Sequence, residues 1–299
     1  MKKDGIYFGL SEDEYFAENR IGSTLLRTLI DAPAKFWFDS YLNPLKKEKN
    51  KKCLNDGKIF HKILLEGNDS LYADFAIIPS NMHSASKEFK AWKSQQIRPI
   101  IKAEDVKQAQ QVLSHLTQRG SVLSNFFADG YPEVSILWTD DKGYKRAARI
   151  DYLKIGQLID VKSFENWETE NEIKYVWKYK VFVQLIDYIN ALKAARTLPV
   201  VKGTAKQKAF WKECAQIDEW LPWVCFVNRE YPQYKLKTME KSKCPYIYKL
   251  GNKMIAKAIE NLESYLDKYG ASNAWIEEPS PDSLQFKDTD FPQLMSYEI

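Results

Sequence analysis

No apolar run in the 299 residues is long enough to span a bilayer, and the opening MKKDGIYFGLSEDEYF lacks a signal-peptide core. A soluble cytoplasmic protein with no membrane partner is the expectation. Cysteine is scarce: Cys53, Cys214, Cys225 and Cys244 are widely spaced and form no C-x-x-C pair. In a cytosolic protein that reads as four free thiols, some of them buried. An excess of one charge is also missing. The 44 basic and 40 acidic residues leave a net +4, which neither demands nor excludes nucleic acid. Only a local basic patch facing a carboxylate-rich site would be informative. Internal repeats and low-complexity linkers are absent too. What is present is a 44% hydrophobic, 14% aromatic chain, which excludes global disorder and can bury a substantial core.

The chain is read as one domain over residues 1–299: a helical part to about 125, a sheet core over about 130–240, and a C-terminal helix over about 252–269. Ser23 is placed to cap a helix through TLLRTLID, which Pro33 follows. The lysine-rich KKEKNKK, Lys46 to Lys52, leads into GKIFHKILLEG, where Ile59, Phe60, Ile63 and Leu64 have helical spacing and Gly67 is a stop. A lysine run of this kind is usually a solvated loop, with contact to nucleic acid as the alternative. Another helix is expected over about Ala103 to Arg119. After Pro132 the pattern changes. EVSILWTD, YKRAARIDYLKI and GQLIDVKS are β-rich segments separated by turn signals and read as a meander. A long helix over roughly Ile173 to Thr197 follows, then strands in WVCFVNRE and YKLKTM. The expected fold class is a mixed α/β sheet flanked by helices.

The chemistry concentrates in RIDYLKIGQLIDVKS. A turn centred on Ile155-Gly156 pairs residues whose numbers sum to about 311, so Asp151 falls opposite Asp160. Side chains alternate, so Lys162 shares the face of Asp160 while Ile159 and Val161 point into the core. Two carboxylates so close repel unless a cation lies between them, and hard divalent ions prefer oxygen. Mg²⁺ or Mn²⁺ is the natural guest, able to activate water and neutralise charge on a phosphate. Lys162 could orient that water or stabilise the pentavalent state. The competing reading is an exposed hairpin with solvated charges, and a one-residue slip would separate the aspartates. On the next helix Gln184 and Tyr188 share one face, with Lys180 a turn earlier. All three suit phosphate and sugar contacts, although a polar edge beside the stripe Val181, Leu185, Ile189 and Leu192 explains them equally. His61 lies on a helix with an apolar face, and Glu133 opens the first strand, within reach of the same sheet edge. A lone histidine is more often structural than a ligand. Arg149 would lie opposite Lys162, a costly like-charge pair unless a phosphate or carboxylate offsets it; stacking on Tyr or Trp is the alternative.

In order, these residues resemble the RecE-type phage exonucleases, the group that also holds lambda exonuclease and the RecB nuclease domain, within the PD-(D/E)XK superfamily. The matching signature is G-x-x-x-H at Gly57 to His61, Glu133, R-x-D at Arg149 and Asp151, D-x-K at Asp160 to Lys162, and Q-x-x-x-Y at Gln184 to Tyr188. The segment SEDEYFAENRIGSTLLRTLIDAPAKFWFDSYL is similar to the family's opening. The resemblance implies that His61, Asp151, Asp160 and the main-chain carbonyl of Val161 ligate metal, with Glu133 near a second ion. It implies Lys162 as the catalytic lysine, with Gln184 and Tyr188 holding DNA. It further implies 5′ to 3′ digestion of linear duplex DNA, a single-strand annealing protein as partner, a ring of three or four copies, and a phage or prophage origin in a bacterial cytoplasm.

Three rival readings stand beside it. One is an iron–sulfur nuclease using Cys53 with the three later cysteines, whose wide spacing argues against a cluster. The others are a non-catalytic DNA-binding scaffold of the same fold and a site-specific endonuclease with the same core.

Overall fold

Apolar periodicity of two and of three to four resolves into the elements of a computed structural model that describes residues 1–46, 52–79, 82–83, 85–164 and 172–277. The lysine-rich stretch lies outside the described residues except for its two ends. The N-terminal elements are β1 (Gly5–Tyr7), α1 (Glu12–Phe16), α2 (Ser23–Asp31), α3 (Pro33–Asp39), α4 (Lys52–Glu66) and α5 (Asn68–Asp74). Then come β2 (Ala76–Ile78), α6 (Lys87–Ser94), β3 (Ile100–Lys102), α7 (Ala103–Leu116) and α8 (Val122–Phe126). The meander is β4 (Gly130–Thr139), β5 (Lys145–Lys154) and β6 (Gln157–Phe164). After it follow α9 (Glu172–Lys178), α10 (Val181–Ala194), β7 (Val200–Lys202), α11 (Ala205–Cys214), β8 (Leu221–Asn228), β9 (Tyr234–Thr238) and α12 (Pro245–Tyr269). No helix among the described residues is long and apolar enough to cross a membrane.

Among the described residues, seven strands form one mixed sheet in the order β7-β1-β4-β5-β6-β8-β9. The meander is antiparallel, whereas β6 and β8 run parallel and therefore need a long crossover, which α9, α10 and α11 supply. One sheet face is covered by α2, α10 and α12, with Leu26, Ile136, Ile150, Phe182, Leu185 and Leu262 in a common core. The other is covered by α4 and α7, where Ile59, Phe60, Leu113, Ile159, Val161 and Val227 pack together.

Three local expectations are corrected. The long helix over 173–197 is two helices, because Lys180 adopts a left-handed conformation (φ 48) at their junction. Ser23 is the first helical residue of α2 and not its cap; Gly22 occupies the cap position, and the Ser23 hydroxyl donates to Asp187 at 3.0 Å. The last helix begins at Pro245, earlier than its apolar pattern indicated, with proline at the first turn, where no N–H is needed.

Helix α10 is buried continuously from Val181 to Ile189, polar Gln184 and Asp187 included. A buried charge needs partners. Asp187 receives Arg146 Nη2 at 2.6 Å as well as the Ser23 hydroxyl. Arg146 also donates to the Ile21 carbonyl and lies over the Trp138 ring. Burial still pushes the Asp187 carboxyl up, with Arg146 and Ser23 opposing. This pair ties α2, β5 and α10 together and so positions the helix that lines the site. Arg146→Met should cost about 3–5 kcal/mol in urea unfolding, since Asp187 is left uncompensated. Adding Asp187→Leu should recover most of that. A single variant as stable as wild type would remove the pair from this role.

Candidate active site

The β5–β6 hairpin turns at Ile155-Gly156, with Gly156 at φ 75, a conformation glycine adopts without strain. Its register is Lys154↔Gln157, Leu153↔Leu158 and Tyr152↔Ile159, the pairing read from the sequence. The ladder then stops. The Val161 N–H donates to the side chain of Asp151 (Oδ2, 2.7 Å) and the strands part. Asp151 and Asp160 are therefore not a regular cross-strand pair, and Arg149 does not face Lys162. Arg149 pairs in register with Ser135 on β4. Its guanidinium is bonded to Glu133 and to the Leu10 carbonyl, and it lies over the Tyr15 ring at 5.8 Å. The neighbouring carboxylate and the aromatic ring are both realised.

The parting has a local cause in β4. Glu133 adopts φ 54 in mid-strand, and the β4–β5 register passes from Pro132↔Tyr152 to Val134↔Ile150 around it. Residues two apart on a regular strand share a face. Here Ile150 lies in the core under α10, while Tyr152 lies in the core under α4. The backbone rotates at Asp151, level with Glu133. A left-handed glutamate costs about 1–3 kcal/mol and needs its surroundings to hold it. The ion pair with Arg149 does so.

His61, on α4, closes the site from the opposite side. Its Nε2 is 3.1 Å from Asp151 Oδ2 and 3.2 Å from the Val161 carbonyl, and its Nδ1 is 3.5 Å from Glu133. Among the described residues, the group of three or more His, Cys, Asp or Glu with mutually close ligand atoms is His61, Glu133 and Asp151. Asp160 stands beside it, fully buried. One oxygen, Oδ1, accepts from Lys162 Nζ at 2.8 Å and from Gln184 Nε2 at 3.0 Å. Its second oxygen, Oδ2, is buried and has no hydrogen-bond partner among the described residues. Gln184 Nε2 also reaches the Tyr188 hydroxyl at 2.6 Å, so these two side chains brace Asp160 from behind.

The charges are strongly coupled. Burial and the Asp151 charge push the Asp160 carboxyl up, against the pull of Lys162. Asp151 is held below the usual range: burial works against this, and His61, Lys162 and the Val161 N–H outweigh it. Burial would lower His61, but Asp151 and Glu133 hold it well above its ordinary value. Lys162 is likewise raised, burial being overcome by both aspartates. An imidazole nitrogen, a carboxylate oxygen and a carbonyl oxygen thus close on one point, with an unsatisfied carboxylate oxygen in the same buried site. Oxygen-rich donors with one imidazole fit a hard divalent cation.

Other sequence candidates lie elsewhere. Lys180 Nζ is paired with Asp31 at 2.6 Å, away from the aspartates. Cys214 lies in the core under α10, with burial pushing its thiol up to about 12, and Cys225 lies in the core on the other face. No cysteine belongs to the ligand group, and the Cys53 side chain is outside the described residues. Sequence reasoning missed Tyr15, whose ring carries Arg149, and Arg27, whose charge opposes protonation of Lys162. Only tertiary packing brings either to the site, and no local pattern marks them.

A mixed sheet whose parted hairpin carries D-x-K beside a second aspartate is the arrangement of the PD-(D/E)XK nuclease superfamily. The chain belongs to the family described as "PDDEXK-like domain of unknown function (DUF3799)", whose model matches residues 23–214 and so spans His61, Glu133, Asp151, Asp160, Lys162, Gln184 and Tyr188. No curated protein matches the sequence. Among solved structures, a "putative exonuclease" from Eubacterium rectale aligns with a TM-score of 0.55 at 10% identity, over 95% of this chain and 98% of that one. At that identity the likeness is one of fold.

A divalent ion should raise the thermal midpoint of the metal-free protein, by an amount equivalent to about 2.7 kcal/mol at a hundredfold excess over Kd. Asp151→Asn and His61→Ala should each lose most of the shift in differential scanning fluorimetry. Undiminished shifts in both would move the ion away from this point.

Proposed function

We propose that this protein is a metal-dependent deoxyribonuclease that digests linear duplex DNA from its ends. The observation that carries the reading is the convergence of His61 Nε2, Asp151 Oδ2 and the Val161 carbonyl beside a buried, unpartnered oxygen of Asp160. Mg²⁺ or Mn²⁺ held by His61, Asp151, Asp160 and that carbonyl would supply activated water and charge neutralisation at a phosphate. Glu133, fixed by Arg149, lies on the far side of His61, where it can hold a second ion directly or through water.

The remaining steps fall to the chain's own groups. Lys162 keeps its proton, is aimed by Asp160, and stabilises negative charge building on the phosphate. Gln184 and Tyr188 are buried and bonded to each other, so in this reading they act first by fixing Asp160 and Lys162, and touch DNA only at their outer edge. Digestion from 5′ ends, delivery of a 3′ strand to an annealing protein, and a ring of three or four copies are part of the same proposal. They are supported by the resemblance to RecE-type exonucleases. Exonuclease action has further support in the shared fold of the Eubacterium rectale protein.

Linear duplex DNA with Mg²⁺ or Mn²⁺ should be shortened to nucleotides or small products, covalently closed circles should survive, and EDTA should stop the reaction. Lys162→Ala should lose roughly 100- to 1000-fold in rate while retaining DNA binding, the scale of losing one preorganised charge-stabilising group. Equal cleavage of circles would make this an endonuclease, and wild-type rates in Lys162→Ala would dismiss the site. Light scattering should give a closed oligomer; a monomer that digests processively would exclude the ring.

A further inference from the structure

The break between α9 and α10 forms a groove. A cavity of about 260 Å³ opens between this break and α2; among the described residues it is lined by four cations (Arg27, Lys35, Lys178 and Lys180) and one carboxylate, Asp31. The walls are pinned. Arg27 Nη1 donates to the Tyr179 carbonyl at 2.7 Å, satisfying an acceptor that the interrupted helix leaves open. Lys180, left-handed at the junction, is fixed by Asp31. Lys35 is shared with Asp39 at 2.8 Å, and Lys178 lies over the Tyr179 ring at 5.1 Å.

The wall of the groove connects to the site described above through α10 and the Tyr175 ring. The Lys180 carbonyl accepts from the Gln184 N–H at 3.4 Å, one turn before the side chain that braces Asp160. The Tyr175 ring bridges Phe164, two residues beyond Lys162, and Tyr179, with centroids 5.0 and 4.5 Å away. Tyr179 lines the groove and is 42% exposed. An open channel of fixed cations with one partly exposed ring suits a ligand that is a polyanion and also carries π-faces. A nucleic-acid strand has both, through its phosphates and bases. An acidic peptide would use the charges and make no use of the exposed part of the Tyr179 ring.

We propose that this groove is a backbone subsite, in which Arg27, Lys35 and Lys178 hold phosphates of the cleaved strand and Tyr179 takes one of its bases. The proposal rests on the nuclease reading, but its test does not depend on cleavage. Full-length protein in EDTA is titrated with a fluorescent single-stranded oligodeoxynucleotide across a range of salt, by anisotropy. The Lys35→Gln/Lys178→Gln variant, with both changes on exposed side chains, should bind more weakly. Its dependence of log K on log salt should be less steep by about 1.4, since each single-strand phosphate contact contributes about 0.7. Lys102→Gln/Lys107→Gln, which removes the same charge from the end of β3 and from α7 beyond the opposite sheet face, should keep the wild-type slope. A wild-type protein that does not bind, or a groove variant with unchanged slope and affinity, overturns the subsite. Binding that follows these expectations without any cleavage in Mg²⁺ or Mn²⁺ would leave the subsite standing and sink the nuclease reading.

Discussion

A single hydrogen bond decides the shape of the site: the Val161 N–H goes to the carboxylate of Asp151, where a continued ladder would give it a backbone carbonyl. Every buried backbone donor needs an acceptor, and here a side chain provides it. The consequence is a fork between β5 and β6 on which His61, Asp151 and the Val161 carbonyl converge. Were the ladder to continue, Asp151 and Asp160 would face each other as two repelling carboxylates on a closed sheet, and the carbonyl would be spent on its neighbour strand.

The fork is kept open from both sides. On β4, the left-handed Glu133 and its pair with Arg149 rotate the backbone level with Asp151. On the other side, α10 is anchored by Asp187 and Arg146 and presses Gln184 and Tyr188 behind Asp160. These are polar groups buried at some cost. A charge-dense, strained point inside a well-packed sheet is expected of a functional site rather than of a fold determinant.

Much of this was legible in the sequence because it is local. The alternation in RIDYLKIGQLIDVKS and the Ile155-Gly156 turn define the hairpin and its register as far as Tyr152↔Ile159. The three segments after Pro132 are strands of one mixed sheet. The end of the register was not legible, since it depends on a β4 residue with positive φ, and nothing in the pattern around Glu133 announces one. For the same reason the hairpin pattern sets Arg149 against Lys162, whereas its partner is Glu133. Apolar spacing continues across Lys180 and so predicts a single long helix, whereas the break there goes with contacts to Asp31 and Arg27 on α2. Strands β1 and β7 are three residues each, too short for any period to register.

The central claim is that the fork is a metal site, with the unpartnered Asp160 oxygen as part of it. Anomalous diffraction from a crystal soaked in Mn²⁺ tests this most directly. The account expects a strong peak within coordination distance of His61 Nε2, Asp151, the Val161 carbonyl and Asp160 Oδ2. A Mn²⁺ peak elsewhere, with His61 still bonded to Asp151 and the Asp160 oxygen still unsatisfied, would contradict it.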